Sequence, residues 1–312
     1  MQSEDYRRLT PKLALELAAP HTWAASVCPA LFGDFYCWQQ GLGLTKIQGV
    51  MLLLACILLQ SAVNTLNDYF DFVKGTDTAE DNVAETDAVL IYGHINPKSA
   101  LILGLCYIAA GAAAGLAACI GHGLVPYIIG IIGVAVIVIY SGGPLPVSYL
   151  PIGEFVSGFV MGGLIPLGIA ACADAQLHWE ILYYSIPLII GIGLIMMSNN
   201  GCDIEKDRKS GRHTLPTYLG RKRTLAFYRA FLITWIALAS VLPAGLLGPV
   251  GFVSALLVFI TGRKKIGTLL ALELKPEGRI EQMTSIASVN LIINLSYTAA
   301  FAAGFILEVI HG

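Results

Sequence analysis

The sequence predicts an all-α membrane protein with nine transmembrane helices, and three observations carry that expectation. Hydrophobic residues make up 56% of the 312 and charged residues 13%, with a mean hydropathy of +0.70, far from soluble-domain averages. The apolar residues gather into runs of roughly 16–26, long enough to cross a hydrocarbon core. No run alternates with period two, so helices and not barrel strands satisfy the backbone in lipid.

The first run, 13–38, follows a charged segment and lacks a small-residue cleavage site, which reads as a retained helix and not a signal peptide. The second, 47–66, leads into an Asn/Asp cluster, and the third and fourth cover 99–120 and 121–140. The fifth, 152–173, begins beside Glu154; the sixth, 181–198, leads into a second Asn/Asp cluster. The seventh and eighth, 224–242 and 245–261, meet where Pro243, Gly245, Gly248 and Pro249 crowd together, and 286–310 is the ninth. No soluble domain is left over, so residues 1–312 are expected to form one transmembrane domain with the lipid bilayer as partner. The seven cysteines form no Cys-x-x-Cys pair and read as small core residues, with neither a disulfide framework nor a zinc site expected. A net charge of −2 and the lack of a basic stripe interleaved with aromatics argue against a nucleic-acid partner.

Nine spans place the N-terminus and the loops after runs 2, 4, 6 and 8 on one side. Of the 19 Lys and Arg residues, only Lys46 falls on the other side, with Arg229 just inside run 7. The positive-inside rule makes the rich side cytoplasmic, with the N-terminus in and the C-terminus out of the cell membrane. Both Asn/Asp clusters are thereby cytoplasmic and free to meet on one ligand. A four-helix separation between Asn67 and Asn199, with Lys74-Gly75 echoed by Lys209-Ser210-Gly211, hints at an internal duplication.

Asn67-Asp68-Tyr69-Phe70-Asp71 and Asn199-Asn200-Gly201-Cys202-Asp203 share the spacing Asn-x-x-x-Asp, which sets two side chains one turn apart on one helix face. Carboxylates at a membrane boundary are costly and default to function. Solvated caps or salt-bridged helix ends are the structural alternatives. Oxygen donors in this pattern suit Mg²⁺, which keeps waters and takes phosphate oxygens, so paired clusters suit a diphosphate. Lys74, Arg208 and Arg212 would add fixed positive charge where a leaving diphosphate gathers negative charge. Glu154, an isolated acid near the start of the fifth run, is expected either to act on a bound ligand or to pair with a basic neighbour. His21 and His94 read as structural or interfacial.

Asn67 through Asp77 and Asp203-Ile204-Glu205-Lys206-Asp207-Arg208-Lys209-Ser210-Gly211-Arg212 resemble the two Asp-rich motifs of the UbiA superfamily of intramembrane aromatic prenyltransferases. Tyr140-Ser141-Gly142-Gly143-Pro144, followed by Gly153-Glu154, is similar to the 1,4-dihydroxy-2-naphthoate polyprenyltransferases of menaquinone synthesis, and Pro20, Thr22, Pro29 and Gly33 fit the same pattern. The resemblance implies a bundle around a central cavity, a polyprenyl diphosphate donor, an aromatic acceptor and two Mg²⁺ ions. It implies metal on Asn67, Asp71, Asp203 and Asp207, with Asp68 and Asp77 in support, and catalytic parts for Asp71, Asp203 and Asp207. Lys74, Arg208 and Arg212 would bind diphosphate, and Tyr140 would line the cavity near the reacting carbon, an interfacial tyrosine being its alternative.

The chain departs from the resemblance at Ala19, Ala88 and Cys202, where many relatives carry Arg, and in the acidic residues Glu80, Asp81, Glu85 and Asp87. The expected reaction is prenyl transfer to 1,4-dihydroxy-2-naphthoate, giving demethylmenaquinone with release of diphosphate and CO₂. Transfer to another acceptor such as 4-hydroxybenzoate is one rival. A transporter is the other, though its acids belong near the bilayer midplane and not at one face.

Overall fold

The computed structural model describes residues 6–75 and 89–311. Asp77, Ala88 and the acids Glu80, Asp81, Glu85 and Asp87 lie outside the described residues. Every predicted apolar run is helical, and among the described residues the one non-helical pairing is an isolated bridge between Arg7 and Ile95.

The first run is broken. Helix α1 (Pro11–Leu17) stops before Ala19, which takes φ +47°, and a single 3₁₀ turn, Pro20–Thr22, leads to α2 (Ala24–Gln39). Pro20 has no N–H to continue the ladder, and a left-handed alanine costs about 1–2 kcal/mol. Side chains from α3 (Lys46–Lys74) offset the break. Asn64 Nδ2 donates to the Ala18 carbonyl at 2.9 Å and to Thr22 Oγ1 at 2.8 Å, and Thr65 Oγ1 donates to Leu17 O at 3.2 Å.

Helix α3 opens on a capping box at Thr45 and Gln48 and closes on Gly75 at φ +65°. It therefore runs past residue 66, so the first Asn/Asp cluster sits on its last turns and not after them. Next come α4 (Val89–Gly93), α5 (Pro97–Ala118) and α6 (Val125–Ser141). The fifth run is α7 (Gly153–Phe159), a π-helical turn over Val160–Leu164 and α8 (Ile165–Asp174). Then follow α9 (Glu180–Cys202), α10 (Ile204–Lys209), α11 (Leu215–Leu219), α12 (Arg221–Leu247), α13 (Phe252–Ala271) and α14 (Arg279–His311).

The junction of runs 7 and 8 falls later than expected. Pro243 is buried inside α12, and the chain turns over Gly248–Gly251 instead, so α13 extends ten residues beyond the predicted end at 261. Among the described residues, six stretches are long and apolar enough to cross a membrane: Lys46–Lys74, Pro97–Ala118, Gly153–Asp174, Glu180–Cys202, Arg221–Ala271 and Pro276–His311. Arg221–Ala271 holds both α12 and α13, while α6 is a shorter apolar helix.

Consecutive long helices are neighbours, from α2 through α3, α5, α6, α7–α8, α9, α12 and α13 to α14, and α14 returns to α2, which closes the ring. α2, α9 and α14 also touch one another across it. An aromatic core of Phe32, Tyr36, Tyr184, Tyr297 and Phe301 joins these three helices, pinned by Tyr297 OH donating to Tyr184 O at 2.6 Å. Asn67, Asn199, Glu154 and Arg279 all lie at the opposite ends of their helices.

Two cysteines correct the sequence reading. Cys119, just past α5, and Cys172, near the end of α8, are paired as a disulfide with Cα atoms 5.4 Å apart. Beside them Gln48 Nε2 donates to Ala118 O at 3.1 Å and Cys172 O at 3.2 Å. Fifty-three residues separate the cysteines, so no short spacing motif betrays the pair.

Where α7–α8 crosses α9, Gly162 lies directly on the α9 backbone: a Cβ there would overlap Ile189 N and Leu188 C. Overpacking of this kind costs about 1–3 kcal/mol. Gly162→Ala is expected to lower the melting temperature of the detergent-solubilised protein, with Gly130→Ala, which meets nothing within 4 Å, as the control that leaves it in place.

Candidate active site

The site is assembled at the helix ends opposite the disulfide. On α3, Asn67 Nδ2 donates to Asp71 Oδ2 at 3.0 Å, as the one-turn spacing requires. Ser141, the last residue of α6, donates from Oγ to Asn67 Oδ1 at 2.7 Å. Lys74 Nζ donates to Ser141 O at 2.9 Å and lies 4.9 Å from the centre of the Tyr149 ring. Asp68 points away from this group, accepting from Leu90 N at 3.3 Å, and so ties α3 to α4.

The second cluster meets the first at Tyr149, whose ring also has Arg212 5.2 Å from its centre. Arg212 Nε stands 3.4 Å from Asp207 Oδ1. Thr214 Oγ1 donates to Asp207 Oδ2 at 3.1 Å, and the Arg212 backbone N–H donates to Asp207 O at 2.8 Å. Arg212 therefore sits within electrostatic reach of both Asp207 and Asp71, and with Lys74 and Tyr149 it joins the two clusters.

Asp207 is 1% exposed. Burial pushes its carboxyl up to about 6, with Arg212 opposing and Asp203 adding to the shift. Arg212 loses hydration by burial too, yet its net shift is upward because Asp207, Asp71 and Tyr149 all favour its charge. The partners thus respond unequally: burial wins at Asp207, and the summed anionic field wins at Arg212. The Nε–Oδ1 approach is close enough for an ion pair but lacks hydrogen-bond geometry, so Asp207 Oδ1 is buried without a hydrogen bond.

Deeper in, Glu154 is 5% exposed, accepts from Asn200 Nδ2 at 2.8 Å on Oε1, and has no hydrogen bond on Oε2. Tyr140 OH donates to Gly153 O at 3.4 Å and lies beside Glu154, Ser157 and Arg212. Arg208 is the expected residue the fold does not bring in: its Nη2 donates to Thr217 O at 3.2 Å on an exposed surface.

Sequence reasoning passed over several participants. Ser141 and Asn200 lay inside quoted motifs without a role. Tyr149 had no signal beyond its neighbours. Arg279, counted only for orientation, donates from Nε to both Asp203 oxygens at 3.1 and 3.2 Å and from Nη2 to Asn199 Oδ1; a lone arginine opening the first turn of a membrane helix was the available clue.

Among the described residues, no three His, Cys, Asp or Glu side chains converge as a metal cluster. The donor chemistry nonetheless suits a hard cation, with an amide and carboxylate on α3 and, in the field of the same Arg212, a buried carboxylate oxygen that lacks a hydrogen bond. Mg²⁺ takes few protein ligands and fills its remaining positions with water and phosphate.

Residues 26–266 match the family model described as the UbiA prenyltransferase family. The chain belongs to the UbiA prenyltransferase family. It is an enzyme that transfers prenyl groups and a multi-pass membrane protein. It is 34% identical over 243 residues, 76% of each chain, to a 1,4-dihydroxy-2-naphthoate octaprenyltransferase of Bacillus subtilis. To the enzyme of the same description in Mycobacterium tuberculosis it is 28% identical, over 69% of this chain and 72% of that one. The apo structure of a UbiA homologue from Aeropyrum pernix shares the fold at a TM-score of 0.64 and 18% identity, covering 96% of this chain and 100% of that one. A homologue from Archaeoglobus fulgidus bound to GPP and Mg²⁺ does so at 0.60 and 15%, covering 94% and 99%.

The Asp207 shift carries a sign. With its folded value raised from 3.8 to about 6, the native state holds a proton that the unfolded chain releases, so this group's stabilisation is full below pH 3.8 and lost as pH rises through 6. In buffer free of divalent cations, the melting temperature is expected to fall between pH 5 and 7, and Asp207→Asn to flatten that dependence. An identical slope in the variant would refute the assignment.

Proposed function

We propose that this UbiA-family enzyme transfers a polyprenyl group from polyprenyl diphosphate to 1,4-dihydroxy-2-naphthoate, with Mg²⁺ as cofactor. The observation that carries the reading is the convergence of both Asn/Asp clusters on the Tyr149–Arg212–Lys74 group, which gathers two cations and acids of both clusters around one ring. The naphthoate acceptor rests on the two bacterial relatives named above.

Asn67, Asp71 and Asp207 would hold metal, Asp203 belongs to the set by its spacing, and Asp68 and Asp77 support the first cluster. When bound, Mg²⁺ neutralises the diphosphate and makes it a better leaving group. Lys74 and Arg212 supply fixed charge to the same oxygens as the allylic C1–O bond breaks and its electron pair passes to diphosphate. An apolar interior keeps water from the allylic cation. Glu154 Oε2, buried without a hydrogen bond, is placed to accept a phenolic proton while Tyr140 lines the wall. A ring carbon then supplies the electron pair for the new C–C bond; the acceptor's carboxylate leaves as CO₂, its bonding pair restores the aromatic ring, and the proton held by Glu154 returns to the ring oxygen.

Nine spans with a cytoplasmic N-terminus complete the proposal. The Cys119–Cys172 disulfide supports that orientation: it stands at the helix ends opposite the clusters, and disulfides persist on the oxidising side of a membrane.

Purified protein supplied with a polyprenyl diphosphate and a panel of aromatic acids is expected to yield the mass of a prenylated, decarboxylated naphthalenediol. EDTA should abolish turnover, and Asp71→Ala and Asp207→Ala should each remove most of it while the protein remains folded in the membrane. Near-normal turnover in either variant would displace the site. For orientation, a cysteine label at Ser210 should react from the cytoplasm and one at Lys46 from the other face. Labelling of both from one side would break the topology.

A further inference from the structure

Asn199 and Asn200 are adjacent on the last turn of α9. Successive helical residues point about 100° apart, so the doublet serves two neighbours. Asn199 meets Arg279 at the head of α14. Asn200, 3% exposed, meets α7, where its Nδ2 donates to Glu154 Oε1 at 2.8 Å. Glycines let these two helices approach closely: a Cβ on Gly158 would overlap Ile189 O, and one on Gly193 would lie 3.3 Å from Glu154 O. The helix crossing thus fixes Asn200 and Glu154 relative to each other, although 46 residues separate them in sequence.

An ionised carboxylate only accepts hydrogen bonds, and an amide NH₂ only donates them. With the Asn200 N–H on Oε1, a proton arriving from a ligand goes to Oε2, the oxygen buried without a hydrogen bond. The same contact fixes the rotation of the carboxyl group, a torsion that is broad when nothing holds it. Beside this carboxyl group Tyr140 OH donates to Gly153 O at 3.4 Å, Ser157 Oγ donates to Glu154 O at 3.1 Å, and Arg212 lies within electrostatic reach.

We propose that Asn200 is a positioning residue for the acceptor half of the reaction: it turns Glu154 so that Oε2 takes the phenolic proton. In that step the acceptor O–H bond breaks, the proton bonds to Oε2 and the electron pair stays on the phenolic oxygen. The inference rests on the prenyl transfer proposed above, in which Glu154 is the base, and adds the residue that aims it. One asparagine of the doublet then serves the second Asn/Asp cluster, and its neighbour serves the acceptor.

Full-length protein in lipid nanodiscs is assayed with a polyprenyl diphosphate and whichever phenolic acid of the panel above the parent enzyme prenylates. Glu154→Gln is expected to lower kcat by about a hundredfold or more, the usual worth of a general base. Asn200→Ala should lower it by about tenfold or more, since a misaimed reacting group loses rate steeply. The KM for the prenyl diphosphate should stay within about twofold in both, because neither residue is assigned to the donor. In the Glu154→Gln background Asn200→Ala should cost less than about twofold, as a residue acting through Glu154 has nothing left to aim. Asn200→Ser, polar but too short to reach Oε1, takes its place in the cycle if the alanine variant does not fold. The reversed pair Asn200→Asp/Glu154→Gln keeps an amide–carboxylate hydrogen bond between α7 and α9 but moves the base, and is expected to be folded and slow. Additive losses in the cycle overturn the positioning role, as does a donor KM that rises in step with the loss in Asn200→Ala. Near-parental turnover in the reversed pair also overturns it, leaving the bridge a structural tie. Parental turnover in Glu154→Gln has a separate meaning: it removes the base from the proposed reaction, and the positioning role falls with it.

Discussion

Carboxylates buried at the rim of an apolar bundle have to be neutralised, and the rest of this structure is arranged around that requirement. Asp207 meets Arg212, Asp203 meets Arg279, Asp71 shares a hydrogen bond with Asn67 and a field with Arg212, and Glu154 takes an amide from Asn200. Arg279 and Asn200 reach their acids from distant parts of the chain, so the helices that carry them cannot be placed independently. The ring of helices is closed by α14 returning to α2, and α14 also brings the guanidinium that the second cluster needs.

Neutralisation is incomplete where chemistry is wanted. Within the candidate site, Asp207 Oδ1 and Glu154 Oε2 are buried without a hydrogen bond, and both lie in the field of Arg212. A buried acceptor without a partner costs roughly 1–3 kcal/mol, and a fold retains such a cost most readily where a ligand removes it. The far end carries an aromatic cluster and a disulfide, and there too Asp34 Oδ1 and Gln39 Oε1 are buried without a hydrogen bond.

Helices were legible in the sequence because a membrane demands long apolar runs, and each such run proved helical. Their ends were less so. Residues 67–74 continue α3 because polar side chains at the end of an apolar run do not stop a helix; Gly75 does. Pro243 suggested a break that α12 absorbs, the turn being taken at Gly248–Gly251. Within the site, Asn67 and Asp71 could be read from spacing because their contact is local. Arg279 and Asp203 are 76 residues apart and the disulfide partners 53; contacts at such distances follow from ring closure, which no local pattern encodes. Arg208 illustrates the converse, since its place in the motif suggested a role and its side chain turns to Thr217 O.

The position of Arg279 at the head of the last helix has a consequence for biogenesis. During synthesis Asn199 and Asp203 leave the ribosome well before residue 279, so α9 enters the membrane with its terminal carboxylate lacking the arginine that later covers it. Final docking of α14 therefore does two jobs at once, sealing the ring against α2 and completing the charge balance of the second cluster. A chain truncated before α14 retains both acidic motifs and the first cluster's local geometry, yet it presents an open seam and an uncompensated acid, the kind of defect membrane quality control is equipped to recognise.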